Sequence, residues 1–359
     1  MSRGTKAIID FKNLRHNFKV LSQLSPGKLV LVVKADAYGH GLKQVVKALD
    51  KVDCFAVATI DEALIVRSVK PDARILLLEG YLDANELDSA IEHNFDCVIH
   101  QQQQINLLVN IKSSKKINVW LKYDSGMNRL GFEEIDFLKT LDLIKNNKNT
   151  NEIILMSHLA SANLKSSSFT QKQTEKFLNI SKGFALSLSN SSALLNGDHL
   201  NQEWSRVGLA LFGVSPVENH MALEYGLKPV MTMKTNVISI KSVKAGDTIG
   251  YSQTYQAQKD KLIAIIGIGY GDGYPWSLSK KAYVLLNNKK ATILGRVSMD
   301  MMAIDITEID NVNFGDSVLI WGESSVGRLP IETVASNAFT IPYVLLCQIT
   351  SRVKYQYVD

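Results

Sequence analysis

The 359-residue sequence is poor in cysteine, with only Cys54, Cys97 and Cys347, and these form no ligand-like cluster. A disulfide scaffold is therefore excluded and no metal site is expected. Charge of one sign is also scarce. Forty Lys+Arg against 35 Asp+Glu leave a formal +5, too small an excess to mark a nucleic-acid binder. No stretch approaches 18 apolar residues, so no membrane span is expected. The first ten residues carry basic groups, but no apolar core forms before Asp10 and Lys12, which argues against a secretory signal. The expected location is the cytoplasm. Internal repeats are absent, and residues 101–104, four glutamines, are too short to count as low complexity. Hydrophobic residues make up 46% and charged residues 21% of the chain, which excludes disorder as the main state.

What is present is an alternation. Short apolar runs at 29–33, 54–58, 75–78, 95–99, 119–121, 153–156, more weakly 185–188, and 209–212 suit strands buried on both faces. Between them, 41–50, 60–69, 83–94, 102–111 and 170–181 show helical periodicity with polar faces. About eight such units in one block predict an α/β fold, a (β/α)8 TIM-type barrel, over residues 8–229. A doubly wound sheet is the alternative. No Gly-x-Gly-x-x-Gly follows the first run, which weakens its dinucleotide-binding form. After 226–229 helices become scarce. Strand-like segments at 230–240, 261–266, 282–286, 291–297, 303–306 and 317–320 predict a mainly β domain over 230–359, with residues 1–7 free to pack with it.

Reactive groups of a barrel gather at the C-terminal ends of its strands. Lys34 ends the first run and precedes Ala-Asp-Ala-Tyr-Gly-His-Gly. Such a lysine either snorkels at a strand end or is held for chemistry such as Schiff-base formation. Lys122 and Arg129 follow the fifth run, Ser157-His158 the sixth, and Ser189-Asn190-Ser191-Ser192 the seventh, while Ser205-Arg206-Val207-Gly208 precedes the last. Taken singly, each reads as a loop ion pair, core histidine, helix cap or surface arginine. Five groups converging on one face are harder to dismiss, and hydroxyls with backbone N–H near Gly208 make an uncharged phosphate cradle. Gly250-Tyr251-Ser252 and the glycine-dense 267–275 segment serve either hairpins or a site.

The segment Val-Val-Lys-Ala-Asp-Ala-Tyr-Gly-His-Gly at 32–41 closely resembles the cofactor-lysine signature of the alanine racemases, which join an N-terminal barrel to a C-terminal β domain. Arg206-Val207-Gly208, residues 267–273 and residues 295–300 match that family in the same order, so the resemblance runs through nearly the whole chain. It implies pyridoxal 5'-phosphate as cofactor, alanine as substrate and a homodimer with active sites shared across its interface. It assigns Lys34 as cofactor Schiff-base lysine and one catalytic base, and Tyr251, from the second subunit, as the opposing base. Arg206 faces the pyridine nitrogen, with His158 against the ring. Tyr38, Ser191, Gly208, Leu209 and Tyr343 surround the phosphate. Arg129 and the backbone of Met299 receive the substrate carboxylate, and Lys122 matches a lysine that is often carbamylated and orients Arg129. Tyr270 and Asp300 line the entrance. The implied product is D-alanine for peptidoglycan.

Val207 departs from the family's usual proline, Phe212 from a common tyrosine and Trp276 from a common arginine, while Ser298 stands at a variable position. None of these removes a catalytic group. A broad-specificity amino-acid racemase, a pyridoxal-phosphate decarboxylase and a non-enzymatic cofactor-binding protein are the alternatives. The decarboxylase is expected to place an acid, not Arg206, at the ring nitrogen. The binding protein leaves the second domain and Tyr251 without a role.

Overall fold

A computed structural model describes residues 3–197, 202–325 and 327–359. Eight parallel strands form the first sheet: β2 (Lys28–Val32), β3 (Cys54–Val57), β4 (Ile75–Leu77), β5 (Asp96–Ile99), β6 (Ile117–Lys122), β7 (Thr150–Met156), β8 (Ala185–Ser187) and β9 (Trp204–Val207). Their order, β8-β7-β6-β5-β4-β3-β2-β9, runs around a nearly closed barrel. Strand residues such as Val30, Leu31, Ala56, Leu76, Val98 and Leu121 are fully buried, as expected where helices cover one face and the barrel interior the other. The helix at Ile60–Val69 coincides with its sequence-predicted range, and Thr59 caps it by accepting the Glu62 N–H.

The seam between β8 and β9 is closed largely by side chains. Gln202 Oε1 accepts the Leu188 and Ser189 N–H groups at 2.7 and 3.1 Å, and Glu203 Oε2 accepts that of Leu186 at 2.7 Å. The Ser187 hydroxyl donates to the Trp204 carbonyl at 3.0 Å, and the Arg206 N–H to that of Ser189 at 2.9 Å. Here the sequence expectation fails. The eighth barrel strand is Trp204–Val207, whereas Leu209–Phe212, the apolar run expected to supply it, is a buried 3-10 turn. Ser205 and Arg206 broke the apolar pattern because their polar groups are satisfied inside the barrel.

A polar plug fills the opposite end. Arg74 pairs with buried Asp96 at 2.7 Å, and the Trp120 indole N–H donates to the same carboxylate at 2.8 Å. The Arg74 guanidinium also lies 4.9 Å from the Trp204 ring centroid.

The second sheet has nine strands: β1 (Lys6–Asp10), β10 (Met231–Val243), β13 (Lys261–Ile266), β14 (Tyr283–Leu286), β15 (Lys289–Leu294), β16 (Met302–Asp305), β17 (Ser317–Ser324), β18 (Gly327–Leu329) and β19 (Lys354–Val358). A two-stranded hairpin, β11 (Thr248–Ile249) and β12 (Tyr255–Gln256), stands beside it. β1 pairs antiparallel with β10 and parallel with β19, so the chain begins in this sheet before entering the barrel. Helices Ile331–Asn337 and Pro342–Cys347, not anticipated from the sequence, carry the chain back toward the barrel mouth. Among the described residues no helix is long and apolar enough to cross a membrane.

Candidate active site

Lys34 stands where β2 stops. The Val33 N–H ends the ladder on the Ala56 carbonyl at 2.8 Å. Ala35, Asp36, Ala37 and Tyr38 then form a left-handed turn, with φ of 52, 52, 53 and 53°. L-residues resist this region by about 1–2 kcal/mol each, so the surroundings must hold it. The two oxygens of Glu62 accept the Ala35 and Ala58 N–H groups at 2.7 and 2.9 Å. Asp36 accepts the Leu42 N–H at 2.6 Å. Gly39, at φ +72°, presses against the Leu346 carbonyl where a Cβ would collide, and Tyr355 donates its hydroxyl to the Gly39 carbonyl at 2.9 Å. Lys34 and Tyr38 thus occupy the two ends of one clamped turn.

The Tyr38 hydroxyl lies against Gly208, in the space a Cβ there would fill. Gly208 donates its N–H to Ser191 Oγ at 3.0 Å and caps the 3-10 turn that starts at Leu209. Ser191 opens the short helix Ser191–Asn196, capped by Asn190. Tyr343 comes from the C-terminal helix Pro342–Cys347, its ring centroid 5.9 Å from that of Tyr38. Burial pushes the Tyr38 hydroxyl far above its ordinary value and that of Tyr343 up to about 12. Both are neutral O–H donors at physiological pH, suited to an anion.

Arg206, on β9, is buried. Nη1 donates to the Ser187 carbonyl at 2.9 Å and the Ser187 hydroxyl at 2.6 Å. Nη2 donates to the Ser157 and Leu188 carbonyls at 2.7 and 3.3 Å and to His158 Nδ1 at 3.3 Å. Among the described residues its Nε has no hydrogen-bond partner. Burial, then the Arg129 charge, lowers its pKa to about 10, so it stays charged near neutrality. His158 is held neutral, well below the ordinary histidine value, by burial and then by Arg206, Arg129, Lys122 and Lys34. Lys122 falls to about 8, through burial and the charges of Arg206, Arg129 and Lys34, with Asp124 opposing. The mouth is therefore a concentrated patch of positive charge on a chain whose overall charge is nearly balanced.

The remaining expected groups lie in the β domain. Tyr251 is 68% exposed, and among the described residues no hydrogen bond, ion pair or ring contact ties it to the barrel mouth. Tyr270 and Met299 are also exposed, in adjoining loops where the Gly271 N–H donates to the Met299 carbonyl at 2.8 Å. Asp300 pairs with Arg352 at 2.5 Å and Arg3 at 3.7 Å. At exposed Trp276 the Arg296 guanidinium lies 5.2 Å from the ring centroid, so a cation stands beside this departure from the family pattern. Supporting groups that sequence reasoning missed include Glu62, Ser187 and Gln173, whose Nε2 donates to the His158 carbonyl at 3.1 Å. They are ordinary helix or strand residues, and only the fold gives them a place.

A strand-end lysine, a group of neutral hydroxyls beside Gly208 and a buried arginine thus gather at the C-terminal mouth of the barrel, where enzymes of this fold carry their reactive groups. The alanine racemase N-terminal domain family matches residues 9–216, and its C-terminal domain family matches residues 230–357. An alanine racemase of Shewanella piezotolerans is 39% identical over 97% of both chains. The biosynthetic alanine racemase of Pseudomonas aeruginosa superposes with a TM-score of 0.96 at 37% identity, over 99% of this chain and 100% of that one. An alanine racemase from Bartonella henselae, solved with covalently bound pyridoxal phosphate, gives 0.88 at 30% identity, over 99% of each chain. This chain belongs to the alanine racemase family.

Proposed function

We propose that the chain interconverts L- and D-alanine with pyridoxal 5'-phosphate held on Lys34. The residues fit this cofactor. The space beside Gly208 is shared by a neutral tyrosine hydroxyl and a serine hydroxyl, and Arg206 keeps one N–H uncommitted. When bound, the cofactor draws electron density from the substrate Cα–H bond.

The observation that carries the reading is Arg206. With both terminal nitrogens committed to Ser187, Ser157, Leu188 and His158, the guanidinium is fixed with Nε as its available donor. Arginine cannot readily pass on a proton, so Arg206 Nε would hold a ring nitrogen by a hydrogen bond without protonating it. That would limit charge build-up and favour simple return of a proton to the substrate Cα. Lys34 Nζ takes or returns the proton on one face. Tyr251 Oη, supplied by a second copy of the chain, does so on the other. Arg129 and the Met299 backbone orient the substrate carboxylate, Lys122 supports Arg129, and Tyr270 and Asp300 narrow the entrance. Following the family resemblance, the product is read as cytoplasmic D-alanine for peptidoglycan.

Purified protein incubated with L-alanine should yield D-alanine until the two are equal, as read by chiral chromatography. Serine and lysine in parallel define the breadth of the pocket. Cofactor-loaded protein that forms no D-alanine would sink the proposal.

A further inference from the structure

His40 lies in the lysine-bearing segment, fully buried, and takes no part in the reaction outlined above. Its Nδ1 is 3.0 Å from the Ala37 carbonyl oxygen and 2.9 Å from that of Tyr38. Carbonyls only accept, so Nδ1 carries the proton and shares it between the two. Nε2 then holds a bare lone pair that meets no partner. A buried, unpartnered ring nitrogen is costly, which marks the residue as one kept for the work of its other nitrogen. Burial also pushes the imidazole down to about 4, so it stays neutral.

Both carbonyls belong to the left-handed turn. Were that turn to relax, the two oxygens would rotate away from the imidazole. The ring also stacks on Phe212, with centroids 4.3 Å apart and planes 24° from parallel. Phe212 ends the 3-10 turn that Gly208 caps, and its ring lies 5.3 Å from that of Tyr38. One side chain therefore touches both the turn that carries Lys34 and the turn that builds the expected phosphate cradle.

We propose that His40 is a positioning residue whose Nδ1–H locks the left-handed turn and so sets Lys34 and Tyr38 jointly against one bound cofactor. The inference rests on the reading of Lys34 and Tyr38 as cofactor groups.

Two variants separate locking from packing. His40→Asn keeps a donor near the Nδ1 position and loses the stack. His40→Phe keeps the stack on Phe212 and loses the donor. Full-length protein is titrated with pyridoxal phosphate by absorbance, and the fraction reduced onto Lys34 by borohydride is read by peptide mass. His40→Phe should bind the cofactor at least about tenfold more weakly, with His40→Asn within about threefold of the parent. A phenylalanine variant that binds as well as the parent, or an asparagine variant no better than phenylalanine, overturns the inference. Should both variants fail to fold, 15N NMR of labelled histidine in the unaltered holoenzyme decides, since an Nε2–H tautomer at His40 is incompatible with the lock. If the parent takes up no pyridoxal phosphate, or Lys34→Ala holds it equally well, it is the cofactor reading that has failed.

Discussion

Arg206 Nη2 and His158 Nδ1 face each other across 3.3 Å, and the arginine is the donor. The imidazole must accept at Nδ1, so its proton sits on Nε2 and the ring is neutral, in keeping with its depressed pKa. Arg206→Glu removes the donor and puts a carboxyl group among carbonyls that also accept. Racemisation is expected to fall by roughly two orders of magnitude, about 3 kcal/mol in barrier height. Pyruvate should appear as a side product, measured by coupled lactate dehydrogenase. Unchanged racemisation without pyruvate would remove Arg206 from its assigned role.

Tyr251 stands exposed, and among the described residues no hydrogen bond ties it to the mouth of its own barrel. If it serves the site of a second copy, Lys34→Ala and Tyr251→Phe chains should each be inactive alone and complement when mixed. Half the dimers from random mixing are mixed, and each has one intact site, so about a quarter of the parent activity should return. Mixed dimers isolated with two different tags and found inactive would count against sharing.

Lys122 has a pKa near 8 and lies among Arg206, Arg129 and Lys34. Its neutral amine, the form that attacks carbon dioxide, becomes abundant as pH rises from 7 to 9. A carbamate carbon resonance from 13C-labelled bicarbonate is expected to grow over that range and to vanish in Lys122→Met. A resonance that survives the substitution would place the carbamate elsewhere.

His40 and His158 are both buried neutral, with pKa values below that of an unfolded histidine. Between pH 6.5 and the folded values the unfolded chain binds more protons, so stability is lost as pH falls through that window. The drop of His40 to about 4 corresponds to at most about 3 kcal/mol by pH 4. Urea midpoints measured from pH 7 to 4 should fall, and His40→Phe should flatten the slope. An equal slope in the variant would show that other groups govern acid sensitivity.

Much of the barrel was legible because strands such as Leu29 to Val33 are apolar throughout and the helices between them keep polar faces. The eighth strand was not, because Arg206 and Ser205 lie inside it and find partners in Ser187, Ser157, His158, Ser25 and Gln202, which the folded barrel brings beside them. Asp96 is similar, a charge within a strand that makes sense once Arg74 and Trp120 are beside it. Gly39 and Gly41, both at positive φ, are the residue type a tight turn favours. Four consecutive left-handed residues at Ala35–Tyr38 could not be read from Ala, Asp, Ala and Tyr, none of which asks for that geometry. The glycines around Tyr251 and Tyr270 left hairpin and site equally open, and Met299 carries no local pattern. The resemblance gave them their roles, because any role at a barrel mouth depends on how the second domain is carried there.

The contacts on Gly39 reach beyond the reaction. The Leu346 carbonyl and the Tyr355 hydroxyl, which brace the lysine-bearing turn, come from the helix Pro342–Cys347 and from β19 respectively. The β domain thus finishes the site of its own barrel, quite apart from anything it lends to a neighbour. A chimera joining this barrel to the β domain of a distant relative must therefore match that relative's counterparts of Leu346 and Tyr355 to Gly39. If they are mismatched, each half would keep its own sheet while the lysine turn between them loses its brace, so the two halves are bound to vary together.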